Sequence, residues 1–183
     1  LRAEALISPV GVSLIPPFEV PLRDSSVVGL RLNFLMGAHQ AVQGFDLGVL
    51  GNMTDRAFGG IQVAGVFNRN KGPATVLGMQ FSGLVNWNLN KSEIYGIQAT
   101  LGMNINHAAS RLVGFGIGVL GNISPQGTIA GAQIGIFNRA KNVYGFQVGV
   151  INFADALHGI QIGLLNINKS GGLPFFPILN IGI

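Results

Sequence analysis

Bulky apolar residues alternate with glycine, glutamine and other small or polar residues along most of this chain. The clearest copies are GFQVG at residues 145–149 and GIQIG at residues 159–163. A period of two residues is typical of a β-strand, because successive side chains of a strand point to opposite faces. The pattern therefore predicts strands with one bulky apolar face and one face of small residues and amides.

The same alternation recurs in nine units, which begin 14 to 18 residues apart. Each unit opens on a glycine: Gly29, Gly44, Gly60, Gly78, Gly96, Gly114, Gly131, Gly145 and Gly159. Most units close on an asparagine, which lies eight residues after the glycine at Asn52, Asn68, Asn86, Asn104 and Asn122, and seven residues after it at Asn138, Asn152 and Asn166. Short polar clusters such as NRNKGPA and NRAKN lie between the strands and predict turns. The chain is therefore predicted to be a repeat protein.

Two all-β architectures fit these repeats. The favoured one is an antiparallel meander that closes into a transmembrane β-barrel, since segments such as 144–153 and 158–167 have the ~9–11 residues that a membrane strand needs. Nine units and the tail would give roughly ten strands, an even number, as in bacterial barrels. The alternative is a β-solenoid, in which each unit is one coil and like residues stack in ladders. Three features count against the solenoid. A short repeat leaves little room for two strands and their corners, variable spacing disturbs stacking, and the outer face of a solenoid would be very apolar for water.

The two ends of the chain differ from the repeats. Residues 1–26 are rich in proline and unrepeated, and they predict an extended lead-in, because proline cannot take part in a central strand ladder. Residues 27–183 are predicted to form a single repeat β domain. Its tail, LPFFPILNIGI, is expected to add a final strand.

Composition sets this chain apart from ordinary soluble domains. Only 10% of its residues are charged, whereas about 25% is usual. Glycine accounts for 28 of 183 residues, which is about twice the usual ~7%. Part of the outer surface is therefore expected to face lipid or another apolar partner. The net charge of +4 comes from scattered residues without a basic, aromatic-rich face, so no nucleic-acid partner is expected.

The unit G-x-Q-x-G-x-x-N resembles the repeats of the bacterial surface repeat-containing proteins. The likeness extends to the lead-in LIPPFEVP, to the opening units VVGLRLNFLMG and GFDLGVLGN, and to the ending LHGIQIGLLNINKSGGLPFFPILNIGI. This resemblance implies an exported envelope protein, at the cell surface or outer membrane of a Gram-negative-type bacterium, with no defined activity.

The candidate site residues are the polar residues predicted to point inward. They lie two residues after the opening glycines, at Arg31, Asp46, Gln62, Gln80, Gln98, Gln133, Gln147 and Gln161. Arg31 and Asp46 lie in neighbouring units and are expected to pair, either as a charged constriction that selects solutes or as a buried pair that sets strand register. The glutamines are expected to hydrogen-bond to one another or to water.

No residue pattern predicts a reaction, a metal site or a cofactor. The chain has no cysteine, and His39, His107 and His158 lie in or beside turns of different units. The favoured function is an outer-membrane barrel with a structural or small-pore role and no catalysis. The alternative is a cell-surface repeat protein that acts as a binding or assembly module for protein, glycan or membrane. The expected partners are membrane lipid, a second copy of the chain or another envelope protein.

Overall fold

The computed structural model describes residues 7–171 and 174–183, of which most belong to β-strands and none to a helix. Residues 1–6 of the predicted lead-in and residues 172–173 of the predicted tail approach lie outside the described residues. The strands are β1 (Ile7–Ile15), β2 (Phe18–Val20), β3 (Ser26–Asn33), β4 (Met36–Gly48), β5 (Gly51–Ala64), β6 (Phe67–Asn70), β7 (Ala74–Ser82), β8 (Val85–Asn88), β9 (Ser92–Thr100), β10 (Met103–Asn106), β11 (Arg111–Gly118), β12 (Gly121–Ile134), β13 (Phe137–Val148), β14 (Ile151–Asn168) and β15 (Phe175–Gly182).

Successive units stack in parallel, with like residues side by side. Gly131 of β12 pairs with Gly145 of β13, which pairs with Gly159 of β14, and the neighbouring residues keep the same register. The chain thus advances by one strand spacing per repeat and forms a β-solenoid of about ten turns. The all-β class and the solenoid alternative of the sequence analysis agree with this architecture.

Each coil contributes one segment to each of two facing sheets. The longer segments form what we call the glutamine sheet, at residues 26–33, 41–48, 57–64, 74–82, 92–100, 111–118, 128–134, 142–148 and 156–162. The shorter segments form the asparagine sheet, at residues 36–39, 51–54, 67–70, 85–88, 103–106, 121–124, 137–140 and 151–154. A last turn at 165–168 continues the asparagine sheet, since the amide of Leu165 donates to the carbonyl of Val150.

The prediction of an antiparallel, roughly ten-stranded transmembrane β-barrel is therefore wrong, and so are the transmembrane strands it implied. Segment 144–153 does not run straight, because it bends at residues 149–150 and passes from one sheet to the other. Among the described strands, the antiparallel pairs are β1 with β2 and β14 with β15, at the two ends of the stack. The interior that a barrel would leave as a lumen is filled by buried side chains such as Gln62 and Gln80.

The objections from repeat length and from variable spacing are answered by the corners. A bend of two residues joins the glutamine sheet to the asparagine sheet, so a repeat of fourteen residues holds both segments. Most of the difference in repeat length is taken up at the opposite corner, which is the single residue Lys141 in a short coil and residues 107–110 in a long one. The glutamines therefore stay in register although the spacing varies. At the first long repeat the register shifts within the segment, since Gly60 of β5 pairs with Val76 of β7 whereas Gln62 pairs with Gln80.

A column of apolar side chains forms the core beside this second corner. Each coil contributes a residue that lies two positions before the opening glycine: Val27, Val42, Phe58, Val76, Ile94, Leu112, Ile129, Val143 and Leu157. All of them are at most 3% exposed. Full burial of a side chain of this kind stabilises a fold by about 1.5–3 kcal/mol, so this column is the main apolar contribution to the stack.

Both ends of the solenoid carry a strand that covers the neighbouring sheet edge. At the first coil, β1 pairs in parallel with β3, and β2 folds back on β1. At the last coil, β15 runs antiparallel along β14 and provides the final strand expected for the tail. Pro9 lies in β1 and Pro177 in β15, and proline is a residue that disfavours the addition of a further strand.

Candidate functional site

The closing asparagines form a continuous hydrogen-bonded ladder through the interior. Asn86 Nδ2 donates to Asn104 Oδ1 at 2.9 Å, and Asn104 Nδ2 donates to Asn122 Oδ1 at 2.8 Å. The same amides reach the end of the glutamine sheet, where Asn104 Nδ2 also donates to the carbonyl of Ile117 at 3.1 Å. Each buried amide thus satisfies its own polar atoms and a backbone carbonyl at the bend.

The predicted inward-facing glutamines form a second ladder, which Gly116 interrupts. Gln80 Nε2 donates to Gln62 Oε1 and Gln98 Nε2 donates to Gln80 Oε1, each at 2.9 Å. After Gly116 the ladder resumes with Gln133, Gln147 and Gln161, whose side chains bond at 2.8 Å. All six glutamines are at most 1% exposed. They therefore pair with one another rather than line a surface open to solutes.

A third column, which the sequence analysis did not single out, lies two residues after the ladder asparagines. Asn70 Nδ2 donates to Asn88 Oδ1 at 2.9 Å, and Asn88 Nδ2 donates to Asn106 Oδ1 at 2.8 Å. These asparagines also bond across the interior to the glutamine ladder, as between Asn70 Nδ2 and Gln62 Oε1 at 3.0 Å. The recurrence of N-x-N in the units NRN, NWN and NIN is the signal that could have predicted this column.

Arg31 and Asp46 occupy the first two positions of the glutamine column and form a buried, bidentate ion pair. Arg31 Nε lies 2.7 Å from Asp46 Oδ1, and Arg31 Nη2 lies 2.6 Å from Asp46 Oδ2. Both side chains are fully buried. Asn33 and Gln62 donate to the same carboxylate at 3.1 and 2.9 Å, so the pair is joined to both ladders.

His39 and Glu19 complete this buried cluster and were not predicted to belong to it. His39 Nδ1 lies 3.3 Å from Arg31 Nη1, and its Nε2 lies 3.0 Å from the carbonyl of Pro21. Because Arg31 can only donate and the carbonyl can only accept, His39 is neutral with its proton on Nε2. Burial lowers the pKa of His39 below its usual range, and the charge of Arg31 lowers it further.

Glu19 ties the lead-in to the first coils. Its Oε2 accepts from the hydroxyl of Ser13 at 3.0 Å and from the amide of Ala38 at 2.9 Å. Glu19 lies in the unrepeated segment, and no periodic pattern marks it as an inward-facing residue. The interior side chains of this cluster are closed off from solvent, although Glu19 Oε1 and Asn33 Oδ1 are buried without a hydrogen-bond partner. The described residues include no cluster of three or more potential metal ligands.

The outer surface has a charged edge along one side of the solenoid. It consists of the corners that lead from the asparagine sheet into the glutamine sheet and of the first residues of the segments that follow. It includes Asp55, Lys71, Lys91, Glu93, Arg111, Lys141, Asp155 and Lys169. Asp55 contacts Arg23 at 2.7 Å and Lys71 at 2.9 Å. Partial burial alone would raise the pKa of Asp55, but hydrogen bonds from Lys71 and Arg23 hold it below its usual range.

The opposite side is an apolar edge formed by the two-residue bends. Its exposed side chains are Phe34, Leu35, Val49, Leu50, Leu84, Leu101, Val119, Leu120, Ile136, Val150 and Leu164. The outer face of the glutamine sheet continues this surface with exposed residues such as Phe45, Leu77, Phe115 and Phe146. Contiguous apolar surfaces are typical of interaction sites.

The bends of the apolar edge bond their backbone from coil to coil. The amide of Val66 donates to the carbonyl of Leu50 at 2.8 Å, and the amide of Leu84 donates to the carbonyl of Val66 at 2.7 Å. The amide of Val150 likewise donates to the carbonyl of Ile136 at 2.9 Å. The edge therefore presents hydrocarbon side chains over a backbone whose amides are already bonded, which is what burial in an apolar medium requires.

Comparison of the chain with protein-family models, with curated proteins and with solved structures found no match. The described residues contain no helix of the length and apolar character needed to cross a membrane.

Proposed function

We propose that this protein is a non-catalytic repeat module that attaches to a lipid surface through its apolar edge. The observation that carries the proposal is the division of the solenoid into two sides. Hydrocarbon side chains occupy the bends of all the coils on one side, and most of the charged side chains lie at the corners on the other. Nine stacked bends at about 4.8 Å spacing give an apolar edge on the order of 40 Å long.

A non-catalytic role is supported by the burial and mutual hydrogen bonding of the interior polar residues. The inward-facing amides and the Arg31–Asp46 pair are buried and bonded to one another. A catalytic group has to reach a substrate within hydrogen-bond distance, and these groups are closed off from any ligand. Their role in the proposal is to hold the coils in register so that the apolar edge stays continuous.

Lipid is the favoured partner because the edge offers so few polar contacts. A protein interface of ordinary size includes about one hydrogen bond per 100–200 Å², whereas the exposed side chains of this edge are aliphatic and aromatic. Burial of apolar side chains below the headgroups, with the charged side in water, is how amphipathic peripheral elements bind membranes. The bacterial cell surface stays a prediction that rests on the family resemblance.

Flotation with phosphatidylcholine vesicles tests the proposal. We expect the protein to float with the vesicles, and we expect a Leu84→Asp/Leu101→Asp variant to bind at least about ten-fold less, since each buried leucine contributes roughly 1.5–3 kcal/mol. The matched control is Asn90→Asp/Ala109→Asp, which adds the same charge at exposed positions in corners of the charged edge and should float like the unmodified chain.

Two results would overturn the proposal. One is a folded, monodisperse protein that stays in the aqueous fraction at every lipid concentration. The other is a stable oligomer in vesicle-free buffer that the Leu84→Asp/Leu101→Asp variant dissociates and that does not float, because a second copy of the chain would then cover the edge.

A further inference from the structure

An apolar band wraps around three sides of the solenoid. On the outer face of the glutamine sheet, the residues one and three positions after each opening glycine are apolar in all nine units, as Phe115 and Ile117 are. The bends of the apolar edge come next, and the first residue of each asparagine-sheet segment is apolar or glycine, as Phe67 and Val85 are. The coils of the described chain therefore carry no charged side chain on the outside of this band.

The tryptophan and both tyrosines of the chain lie at the borders of the band. Trp87 is the third residue of its asparagine-sheet segment and is the next outward residue beyond the band on that face. Tyr95 and Tyr144 each directly precede an opening glycine and are the next outward residues on the glutamine sheet. Trp and Tyr are enriched at the interfaces of membranes, where one end of the side chain is in an apolar medium and the other in water.

Charged residues begin at these same borders. The hydroxyl of Tyr95 donates to Glu93 Oε2 at 3.4 Å, toward the charged edge. On the other face, the guanidinium carbon of Arg69 lies 5.3 Å from the centre of the Trp87 ring, and the ring of His107 in the next corner lies 6.1 Å from it. The change from apolar to charged side chains is therefore sharp on both faces.

The height of the band matches one leaflet of a bilayer. On the glutamine sheet, Tyr95 lies six residues from Leu101 of the bend, and on the asparagine sheet Trp87 lies three residues from Leu84 of the bend. These separations correspond to roughly 20 and 10 Å at about 3.3 Å per residue. The hydrocarbon of one leaflet, about 15 Å thick, falls between the two values.

We propose that the band enters the hydrocarbon of one bilayer leaflet, edge first, as far as Trp87, Tyr95 and Tyr144. Fluid lipid chains can cover both sheet faces and the bends at once. A second copy of the chain would cover one of the three sides and leave the other two in water. The inference rests on the proposed function and extends it, because it buries the faces of both sheets in lipid in addition to the bends.

The single tryptophan makes the depth of insertion measurable. Its emission is recorded with phosphatidylcholine vesicles whose acyl chains carry a doxyl quencher either near the headgroup or near the end of the chain. We expect the shallow label to quench Trp87 more strongly than the deep label. In Trp87→Phe/Leu101→Trp the tryptophan lies in a bend, and we expect the deep label to quench it more strongly.

The matched control is Trp87→Phe/Ala109→Trp, which places the tryptophan at an exposed position of the charged edge. Neither label should quench it. Stronger quenching of the Leu101→Trp reporter by the shallow label would overturn the proposal, because the bends would then lie near the headgroups. A Trp87 that neither label quenches would also overturn it, because the border would then lie in water.

A charge on the outer face of the glutamine sheet provides a second test. Phe115→Lys places the charge inside the band, whereas Thr75→Lys places it on the same face beyond the border, level with Glu93. We expect Phe115→Lys to weaken vesicle binding at least about ten-fold, because a charged side chain is costly in hydrocarbon, and Thr75→Lys to bind like the unmodified protein. Unchanged binding of Phe115→Lys would show that this face stays outside the leaflet.

The failure of this inference is distinct from the failure of lipid attachment. If the protein floats with vesicles but the bends are quenched mainly by the shallow label, it attaches through the apolar edge without entering the leaflet. If the protein does not float, attachment and insertion are both overturned.

Discussion

At the scale of single residues, the opening glycine of each unit is required by backbone geometry. All nine opening glycines have φ between 101° and 149°, a region that residues with a side chain rarely adopt. A Cβ atom added to Gly96 would lie 2.2 Å from the carbonyl oxygen of Gly78. The other opening glycines make the same close approach to a carbonyl oxygen, except Gly78, where an added Cβ would meet only the side chain of Ile61 at 3.4 Å. The recurrence of glycine thus reflects its positive φ at every unit and the close approach of stacked coils at eight of the nine.

Gly96→Ala should therefore destabilise the protein far more than Gly59→Ala. A Cβ atom at Gly59 meets no atom closer than 3.8 Å, so that substitution is expected to change the free energy of unfolding by less than about 1 kcal/mol. Gly96→Ala combines a strained φ with a backbone clash and should cost at least about 3 kcal/mol. Urea denaturation of both variants measures the difference, and equal midpoints would contradict the stacked geometry.

His39 gives the protein a pH-dependent stability. Its pKa is lowered in the folded state, whereas an exposed histidine in the unfolded chain has a pKa of about 6.5. The unfolded state therefore binds a proton first as the pH falls. The contribution of His39 is fully present above about pH 6.5 and is lost as the pH falls from there toward the lowered folded-state value.

Denaturation midpoints between pH 7.5 and 5 should test this expectation. The unmodified protein should lose stability over that range, and His39→Gln, which removes the titrating group beside Arg31, Glu19 and Asp46, should show a smaller loss. An identical pH dependence in the two proteins would mean that His39 does not titrate differently on unfolding.

At the scale of strands, neighbouring segments are joined by ladders of identical side chains. Glutamine stacks on glutamine and asparagine on asparagine, at 2.8–2.9 Å. Arg31 and Asp46 replace two glutamines at the start of the column and are paired across β3 and β4 in register. The structural role that the sequence analysis offered for this pair fits its full burial better than a solute-selecting constriction does.

Asp46→Gln should destabilise the protein by about 3–5 kcal/mol, because it leaves the guanidinium of Arg31 buried without a counter-charge. Arg31→Gln/Asp46→Gln should recover most of that loss, since both positions would then continue the glutamine ladder. Thermal denaturation of the two variants and of Arg31→Gln measures the coupling. A double variant no more stable than Asp46→Gln would show that the charges themselves, rather than the ladder, are needed at these positions.

At the scale of the whole molecule, a parallel stack has two ends at which another strand could add. The backbone of β14 would be open at the last coil without β15, which pairs with it from Gly159 to Ile167. Asn180 of β15 also donates to Gln161 Oε1 at 3.3 Å and so ends the glutamine ladder. The end strands therefore limit growth along the stack and leave the apolar edge as the surface open to a partner.

Removal of residues 174–183 should convert the protein into end-to-end dimers, because it opens one end of the stack while β1 and β2 still cover the other. The exposed edge of β14 presents an unpaired ladder of the kind that templates further stacking. Static light scattering in mild detergent, where the apolar edge is covered, should show a mass that rises with concentration for the truncated chain and stays constant for the full chain. A truncated chain that stays monomeric would show that β15 is not needed to close the stack.

Much of this protein could be predicted from the local pattern of its sequence. The period of two residues determined the strands and the all-β class, and the repeated glycine, glutamine and asparagine predicted a repeat protein with its amides inside. These properties depend on the face of the strand to which each side chain points, and the alternation of residue types shows that face within a few residues. Arg31 and Asp46 were expected to pair on the same ground.

The direction of strand pairing was decided only by the tertiary structure. Alternation is the same in parallel and antiparallel sheets, so the pattern cannot tell a meander from a stack. The bends set the direction of pairing. Two residues carry the chain from one sheet into the facing sheet, whereas a hairpin turn would return it antiparallel within the same sheet. Two features follow from these bends: the joining of His39 and Glu19 to the Arg31–Asp46 pair, and the apolar edge. Each brings together residues from different segments of the chain.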